Sequence, residues 1–162
     1  MKKYSKLIFG GGIAALLLLG LVLLARPEGS PGPEPQQAAG AVVNRFDFGR
    51  ISMTQGLVSY VYELPNDGNL PVTISRVYTS CMCTTAYLLK DQKRLGPFGM
   101  PGHGTSRGVS LALAPGEKVE VEVVYDPAAH GPAGLGRVER AVKLETAEGP
   151  SWELSFTAEV AP

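Results

Sequence analysis

The stretch Val119–Tyr125 reads Val-Glu-Val-Glu-Val-Val-Tyr, and it decides the fold. Its apolar and charged side chains mostly alternate with a period of two, which is the pattern of a β-strand with one buried and one solvated face. Strands of this kind are typical of antiparallel sheets, whereas strands of parallel sheets are apolar on both faces. The stretch therefore predicts an antiparallel β domain.

Six further segments show the same alternation, and short turns separate most of them. They are residues 45–51, 58–64, 72–78, 109–113, 138–144 and 152–160. Seven short strands in about 120 residues predict an all-β fold, an immunoglobulin-like antiparallel β-sandwich, with a small closed barrel as the alternative. The connection after Cys83 is unusually long. We expect an irregular loop there, with at most one helical turn or a short edge strand within residues 86–95.

The N-terminal part of the chain has a different character. Residues 1–6 are basic, and residues 7–25 carry no charge. As a helix, such a run would cross the hydrocarbon core of a bilayer, so we interpret it as a transmembrane signal anchor rather than a cleaved signal peptide. The flanking lysines predict that the N-terminus stays inside and the rest lies outside. Residues 26–40 are rich in Pro and Gly and predict a flexible linker, which leaves residues 41–162 as the folded domain.

The charge balance excludes one class of partner. Lys and Arg together number 15, as do Asp and Glu, so the formal net charge is zero. A nucleic-acid-binding domain normally carries a basic surface. We therefore expect no nucleic-acid partner. The expected contacts are the membrane, through residues 7–25, and a protein of the cell envelope.

Several short motifs follow one another in a recognisable order. They are Phe46-Asp47-Phe48-Gly49, Asn66-Asp67-Gly68-Asn69, Ser80-Cys81-Met82-Cys83-Thr84, Pro115-Gly116-Glu117 and Tyr125-Asp126-Pro127. Over residues 45–160 this order resembles a bacterial family of unknown function with one immunoglobulin-like domain, related to the Hydin-like domains of ciliary and centrosomal proteins. Met82 departs from the glycine that is usual in the family, and the loop bearing His103 is longer. The resemblance implies a fold and an extracytoplasmic location, in agreement with the anchor in the bacterial cytoplasmic membrane predicted from residues 7–25. It implies no activity.

The only two cysteines of the chain, Cys81 and Cys83, stand one residue apart at the end of a predicted strand. In an extended strand their Cα atoms would be about 6.6–7 Å apart. A disulfide needs a closer approach, so a bridge here requires a bend and would be easily reduced. The pair is open to three interpretations: metal ligands, a redox pair, or a strained disulfide.

Two histidines complete a set of candidate metal ligands. His103 and His130 both lie in loops rich in Gly and Pro. Loops at one end of a sandwich come together. Cys81, Cys83, His103 and His130 would then form a Cys₂His₂ site for copper or zinc, with Met82 and Met100 as secondary thioether ligands. The alternative is two solvent-exposed histidines beside a disulfide or an inert thiol pair.

We expect no enzyme activity. Thiol–disulfide oxidoreductases normally carry Cys-x-x-Cys in a βαβ unit, and both features are missing from the sequence. Arg140 falls on the apolar parity of its strand, which suggests either a carboxylate partner such as Asp126 or a side chain that extends to the rim. The sequence favours a membrane-anchored, extracytoplasmic binding or assembly module. The alternative is a protein that binds or delivers a soft metal.

Overall fold

The computed structural model describes residues 42–103, 108–149 and 151–162. Nine strands lie in these residues: β1 (Val42–Ser52), β2 (Val58–Pro65), β3 (Val72–Thr79), β4 (Thr84–Lys90), β5 (Lys93–Phe98), β6 (Leu111–Leu113), β7 (Lys118–Tyr125), β8 (Gly136–Thr146) and β9 (Ser151–Ala161). Two 3₁₀ helices, Met53–Gln55 and Gly131–Gly134, precede β2 and β8. The predicted all-β class is confirmed.

The strands form two separate sheets, so the closed barrel is excluded. One sheet has the order β1-β9-β8-β3-β6, and the other has the order β2-β7-β4-β5. Both sheets contribute to one apolar core. The hydroxyl of Tyr62 on β2 crosses this core and donates a hydrogen bond of 2.7 Å to the carbonyl oxygen of Ser155 on β9. The architecture is a two-layer β-sandwich.

Strand β7 has the role that its alternation predicts. Its apolar side chains Val119, Val121, Val123 and Tyr125 are buried, while its glutamates lie on the other face. β7 pairs with β2 on one side and with β4 on the other, and both pairings are antiparallel. One pairing differs from the prediction: β1 runs parallel to β9. The first strand therefore lies at the edge of the five-stranded sheet, beside the last strand and parallel to it.

The irregular loop predicted after Cys83 is wrong over residues 84–98, whereas the edge strand allowed within residues 86–95 is confirmed in part by β5, which lies at the edge of its sheet. Residues 84–98 form the hairpin β4–β5, and of the residues that follow, the described ones up to β6 (99–103 and 108–110) belong to no strand. Asp91 and Gln92, the two residues between these strands, have φ of 51° and 62°. This is the left-handed geometry of a tight hairpin turn, here made without glycine or asparagine. The sequence therefore lacks the usual hairpin signal.

The predicted transmembrane segment 7–25 and linker 26–40 lie outside the described residues. Among the residues that are described, no helix is long and apolar enough to cross a membrane.

Candidate functional site

The two cysteines lie in a tight turn between β3 and β4, not on a strand as predicted. The carbonyl oxygen of Cys81 accepts hydrogen bonds from the amide of Thr84 over 3.2 Å and from Oγ1 of Thr79 over 2.8 Å. This β-turn brings the two cysteine Cα atoms to 5.3 Å, within the usual range for disulfides, and the two sulfurs are bonded. The bend that a bridge requires is thus built from the threonines on either side.

Both sheets hold the cysteine turn in place. In the five-stranded sheet, the Ser80 amide donates to the carbonyl oxygen of Ala141 on β8, and Ser80 Oγ accepts from the Ala141 amide, each over 2.9 Å. In the other sheet, the amide of Asp126, just after β7, donates to the carbonyl oxygen of Cys83 over 2.9 Å. The turn is therefore fixed at the end of the sandwich where β7 finishes.

His130 reaches the turn from the segment that follows β7. Asp126 Oδ1 accepts from the Ala128 amide over 2.8 Å, and the Ala128 carbonyl accepts from the Gly131 amide over 2.9 Å. These bonds fold the segment back just before the 3₁₀ helix Gly131–Gly134. His130 Nε2 then lies 3.2 Å from Cys81 Sγ. The segment after Tyr125 therefore lies at the same end of the sandwich as the cysteine turn, whereas the residues directly after Cys83 form the hairpin β4–β5.

Arg140 on β8 contacts the other sulfur. Its Nε donates to Cys83 Sγ over 3.3 Å, and its Nη1 donates to the carbonyl oxygen of Glu139 over 2.8 Å. The sequence predicted either Asp126 as the partner of Arg140 or a position at the rim of the sheet. It did not predict the contact with the sulfur of Cys83. The available signal was the position of a charged residue on the apolar parity of its strand. Burial raises the pKa of nearby Tyr125, and the positive charge of Arg140 opposes that shift.

Three of the four predicted ligands come together. The ligand atoms of Cys81, Cys83 and His130 all lie within 4.8 Å of one another. His103 is outside this group, on an exposed turn in which its amide donates to the Met100 carbonyl over 3.2 Å. Met82 is 58% exposed between the cysteines, and Met100 is partly buried. Among the described residues, the cluster is thus Cys₂His with an adjacent guanidinium.

The cluster has two chemical states. As a disulfide, the two sulfurs are bonded to each other and are poor metal ligands, because the thiolate is the form that binds metals. Reduction would leave two thiols in the same turn, next to the His130 imidazole. An ion with ligand distances of about 2.0–2.3 Å at the centre of a flat triangle needs ligand atoms about 3.5–4 Å apart. Cys81 Sγ lies 3.2 Å from His130 Nε2, and the two bonded sulfurs would have to separate on reduction to hold an ion.

A protein-family comparison matches the first part of the domain. The family described as a protein of unknown function, DUF1573, matches residues 41–97. The chain resembles that family over this segment. The match includes both cysteines and ends before His130 and Arg140, so it supports the predicted resemblance to a family of unknown function over residues 41–97 alone. No curated protein is similar enough to match the chain.

Three solved structures are similar to this chain to different degrees. A protein of unknown function from Porphyromonas gingivalis W83 shares 17% identity at a TM-score of 0.50, over 72% of this chain and 44% of that one. The secreted serine protease VesC from Vibrio cholerae shares 13% identity at a TM-score of 0.45, over 72% of this chain and 22% of that one. The CooA pilin subunit from enterotoxigenic Escherichia coli shares 11% identity at a TM-score of 0.42, over 75% of this chain and 92% of that one. This chain spans less than half the length of the first two proteins. The first likeness concerns the fold alone, and the other two support no conclusion.

Proposed function

We propose that this chain is a non-enzymatic, membrane-anchored binding protein of the bacterial envelope, and that its ligand is one Cu(I) ion. Reduced Cys81 and Cys83 would hold the ion together with His130. The observation that carries the proposal is the convergence of these three ligand atoms within 4.8 Å. The residues come from two segments that are distant in sequence, and the hydrogen bonds of Ser80 and Asp126 hold the cysteine turn that brings them together.

The donor set favours Cu(I) over Zn(II). Two of the three donors are thiolates, which bind both Cu(I) and Zn(II), so the number of ligands decides between the two ions. Structural zinc is almost always held by four ligands in a tetrahedron. The cluster of described residues offers three, and His103 is not among them. A three-coordinate soft ion therefore fits the site better than zinc.

The charge of Arg140 also favours a monovalent ion. Two thiolates and Cu(I) carry a net charge of minus one, which the adjacent guanidinium neutralises. Two thiolates and Zn(II) are already neutral, so the same guanidinium would leave an uncompensated positive charge. Because Arg140 Nε lies 3.3 Å from Cys83 Sγ, this difference acts at short range.

The location is part of the proposal and rests on the sequence. The uncharged run 7–25 with lysines before it supports a single span of the cytoplasmic membrane, with the N-terminus inside and residues 41–162 outside. Protease added to spheroplasts should then digest the domain without membrane lysis. Digestion only after lysis would place the domain in the cytoplasm.

The metal proposal is tested by titration of the full chain, reduced and anaerobic in detergent, with Cu(I) against a chromogenic chelator. We expect one equivalent to bind. Cys81→Ser and Cys83→Ser should abolish this binding, and His130→Ala should weaken it by about one to two orders of magnitude. Zn(II) should bind more weakly than Cu(I), because the fourth ligand is missing.

His103→Ala is the matched control, since it removes the other histidine of the chain from an exposed turn outside the cluster. It should bind Cu(I) as the unmodified chain does. Equal weakening by His103→Ala and His130→Ala would show that the histidines act nonspecifically. Absence of Cu(I) binding by the reduced chain would remove the metal function.

Assembly with an envelope protein is a second candidate, which the exposed apolar side chains favour. Val58 and Thr84 both pair with Tyr125, so Leu57 lies at the same end as the cysteine turn. Among the described residues, three of the five exposed large apolar side chains lie at this end: Leu57 at 67%, Met82 at 58% and Leu135 at 41%. A photo-crosslinking residue at position 57 should capture a partner that the same residue at Leu70, 71% exposed beyond the far end of β2, does not capture.

A further inference from the structure

The two sulfurs of the disulfide differ in accessibility. Cys83 is 3% exposed, whereas Cys81 is only partly buried and lies beside the exposed His130. Thiol–disulfide exchange requires a thiolate to attack one sulfur, and access decides which sulfur is attacked. A thiolate from solution therefore reaches Cys81 Sγ and is kept from Cys83 Sγ.

Attack at Cys81 makes Cys83 the leaving group. The departing sulfur carries the electron pair of the broken bond, so a negative charge forms at a buried atom, which is costly without compensation. The guanidinium of Arg140 meets this need, because it is always charged and its Nε already donates to Cys83 Sγ over 3.3 Å. The bond from its Nη1 to the Glu139 carbonyl oxygen holds the group in place. Thr84 Oγ1 lies 3.7 Å from the same sulfur.

We propose that the Cys81–Cys83 disulfide is a redox gate on the metal site, opened by an external dithiol that attacks Cys81 while Arg140 stabilises the departing Cys83. In the first step, a thiolate of the dithiol bonds to Cys81 Sγ, the disulfide breaks, and its electron pair passes to Cys83. In the second step, the other thiol loses its proton to water and attacks the sulfur already bound to Cys81, whose bond electrons pass to Cys81. The dithiol is oxidised to a disulfide, and the two cysteines gain two electrons.

The consequence for ligand binding rests on the proposed function. Before reduction, neither sulfur is available as a thiolate. Afterwards, both thiolates stand beside His130. Extracytoplasmic compartments are oxidising, so the gate would remain closed there until a dithiol protein reduces it. The reduction half of the proposal stands independently of any metal.

The test follows the reduction of the full chain by dithiothreitol, without metal and at one fixed pH. Arg140→Gln removes the charge, Arg140→Lys keeps it, and Arg137→Gln changes an exposed arginine on the same strand. We expect Arg140→Gln to slow reduction by about tenfold or more, from the usual strength of hydrogen bonds to charged groups. Arg140→Lys should recover most of the rate, and Arg137→Gln should leave it unchanged.

A folding defect cannot mimic this result, because unfolding exposes the disulfide and speeds its reduction. The attacked sulfur is identified separately with glutathione in the presence of iodoacetamide. Mass spectrometry should find glutathione on Cys81 and the alkyl group on Cys83. Glutathione on Cys83, or an unchanged rate in Arg140→Gln, would overturn the proposal, and so would a faster rate if urea unfolding shows this variant to be as stable as the unmodified chain. Failure of the reduced chain to bind Cu(I) would remove the metal function and leave these rates unaffected, so the two failures are distinguishable.

Discussion

The guanidinium of Arg140 donates a hydrogen bond to the sulfur of Cys83 over 3.3 Å, although 57 positions separate the two residues in sequence. The contact exists because the bonds between Ser80 and Ala141 dock the cysteine turn onto β8 beside Arg140. A positive charge is thus fixed at the buried sulfur of the pair, and an imidazole stands at the accessible one. This asymmetry is the basis of both the metal proposal and the redox proposal.

The docking of the turn depends on Ser80. Ser80→Ala removes the hydroxyl that accepts a hydrogen bond from the Ala141 amide, and it leaves that amide without this partner. We expect a loss of about 1 kcal/mol in the free energy of unfolding, together with a weaker effect of Arg140 on the rate of disulfide reduction. Urea denaturation measures the first effect. Ser59→Ala, at an exposed position on β2, is the control and should be near neutral.

Stability should fall at alkaline pH because of Tyr62. Burial is the main cause that raises the pKa of Tyr62, and the charge of Tyr60 adds to the shift. In the unfolded chain a tyrosine loses its proton near pH 10, whereas folded Tyr62 keeps it. Tyr62 therefore makes its full contribution to the free energy of unfolding below about pH 10, and this contribution is lost as the pH rises above that value.

Tyr62→Phe provides the measurement. At neutral pH, the variant should be less stable by about 1 kcal/mol, because it lacks the hydrogen bond to Ser155. Above about pH 10, its stability should fall less steeply than that of the unmodified chain, so the difference between the two narrows. Parallel curves of unfolding free energy against pH would contradict this explanation.

A glycine in the hairpin turn between β4 and β5 should stabilise the domain. Gln92 has φ of 62°, a conformation that is costly for residues with a Cβ atom and free for glycine. Gln92→Gly should raise the free energy of unfolding by about 0.5–1 kcal/mol, measured by thermal and urea unfolding. Lys93→Gly, one residue later at the start of β5, should instead destabilise the domain. Stabilisation by both changes would show that the turn conformation is not the cause.

Much of the fold was predictable because alternation reports burial directly. Residues 119–125 alternate and form a central strand of the four-stranded sheet. The hairpin β4–β5 was missed because Asp91 and Gln92 adopt left-handed conformations that non-glycine residues seldom take. The parallel pairing of β1 with β9 was missed because alternation does not encode the partner of a strand.

The candidate site was predictable in part. That Cys81 and His130 lie together follows from the placement of loops at one end of a sandwich. The turn geometry at Cys81 depends on hydrogen bonds from Thr79 and Thr84 to its carbonyl oxygen, and no sequence period reveals these. The sequence singled out Arg140 because it is a charged residue at a strand position where the alternating pattern expects an apolar one. Its sulfur partner depends on which strand docks beside β3, and that is a property of the tertiary fold.

X-ray absorption at the copper edge reports directly on the ligands of the proposed ion. The reduced full chain would be loaded with one equivalent of Cu(I) under anaerobic conditions. We predict two sulfur scatterers and one nitrogen scatterer, with the nitrogen lost in His130→Ala and kept in His103→Ala. A first shell of sulfur alone, unchanged in His130→Ala, would contradict a site shared by Cys81, Cys83 and His130.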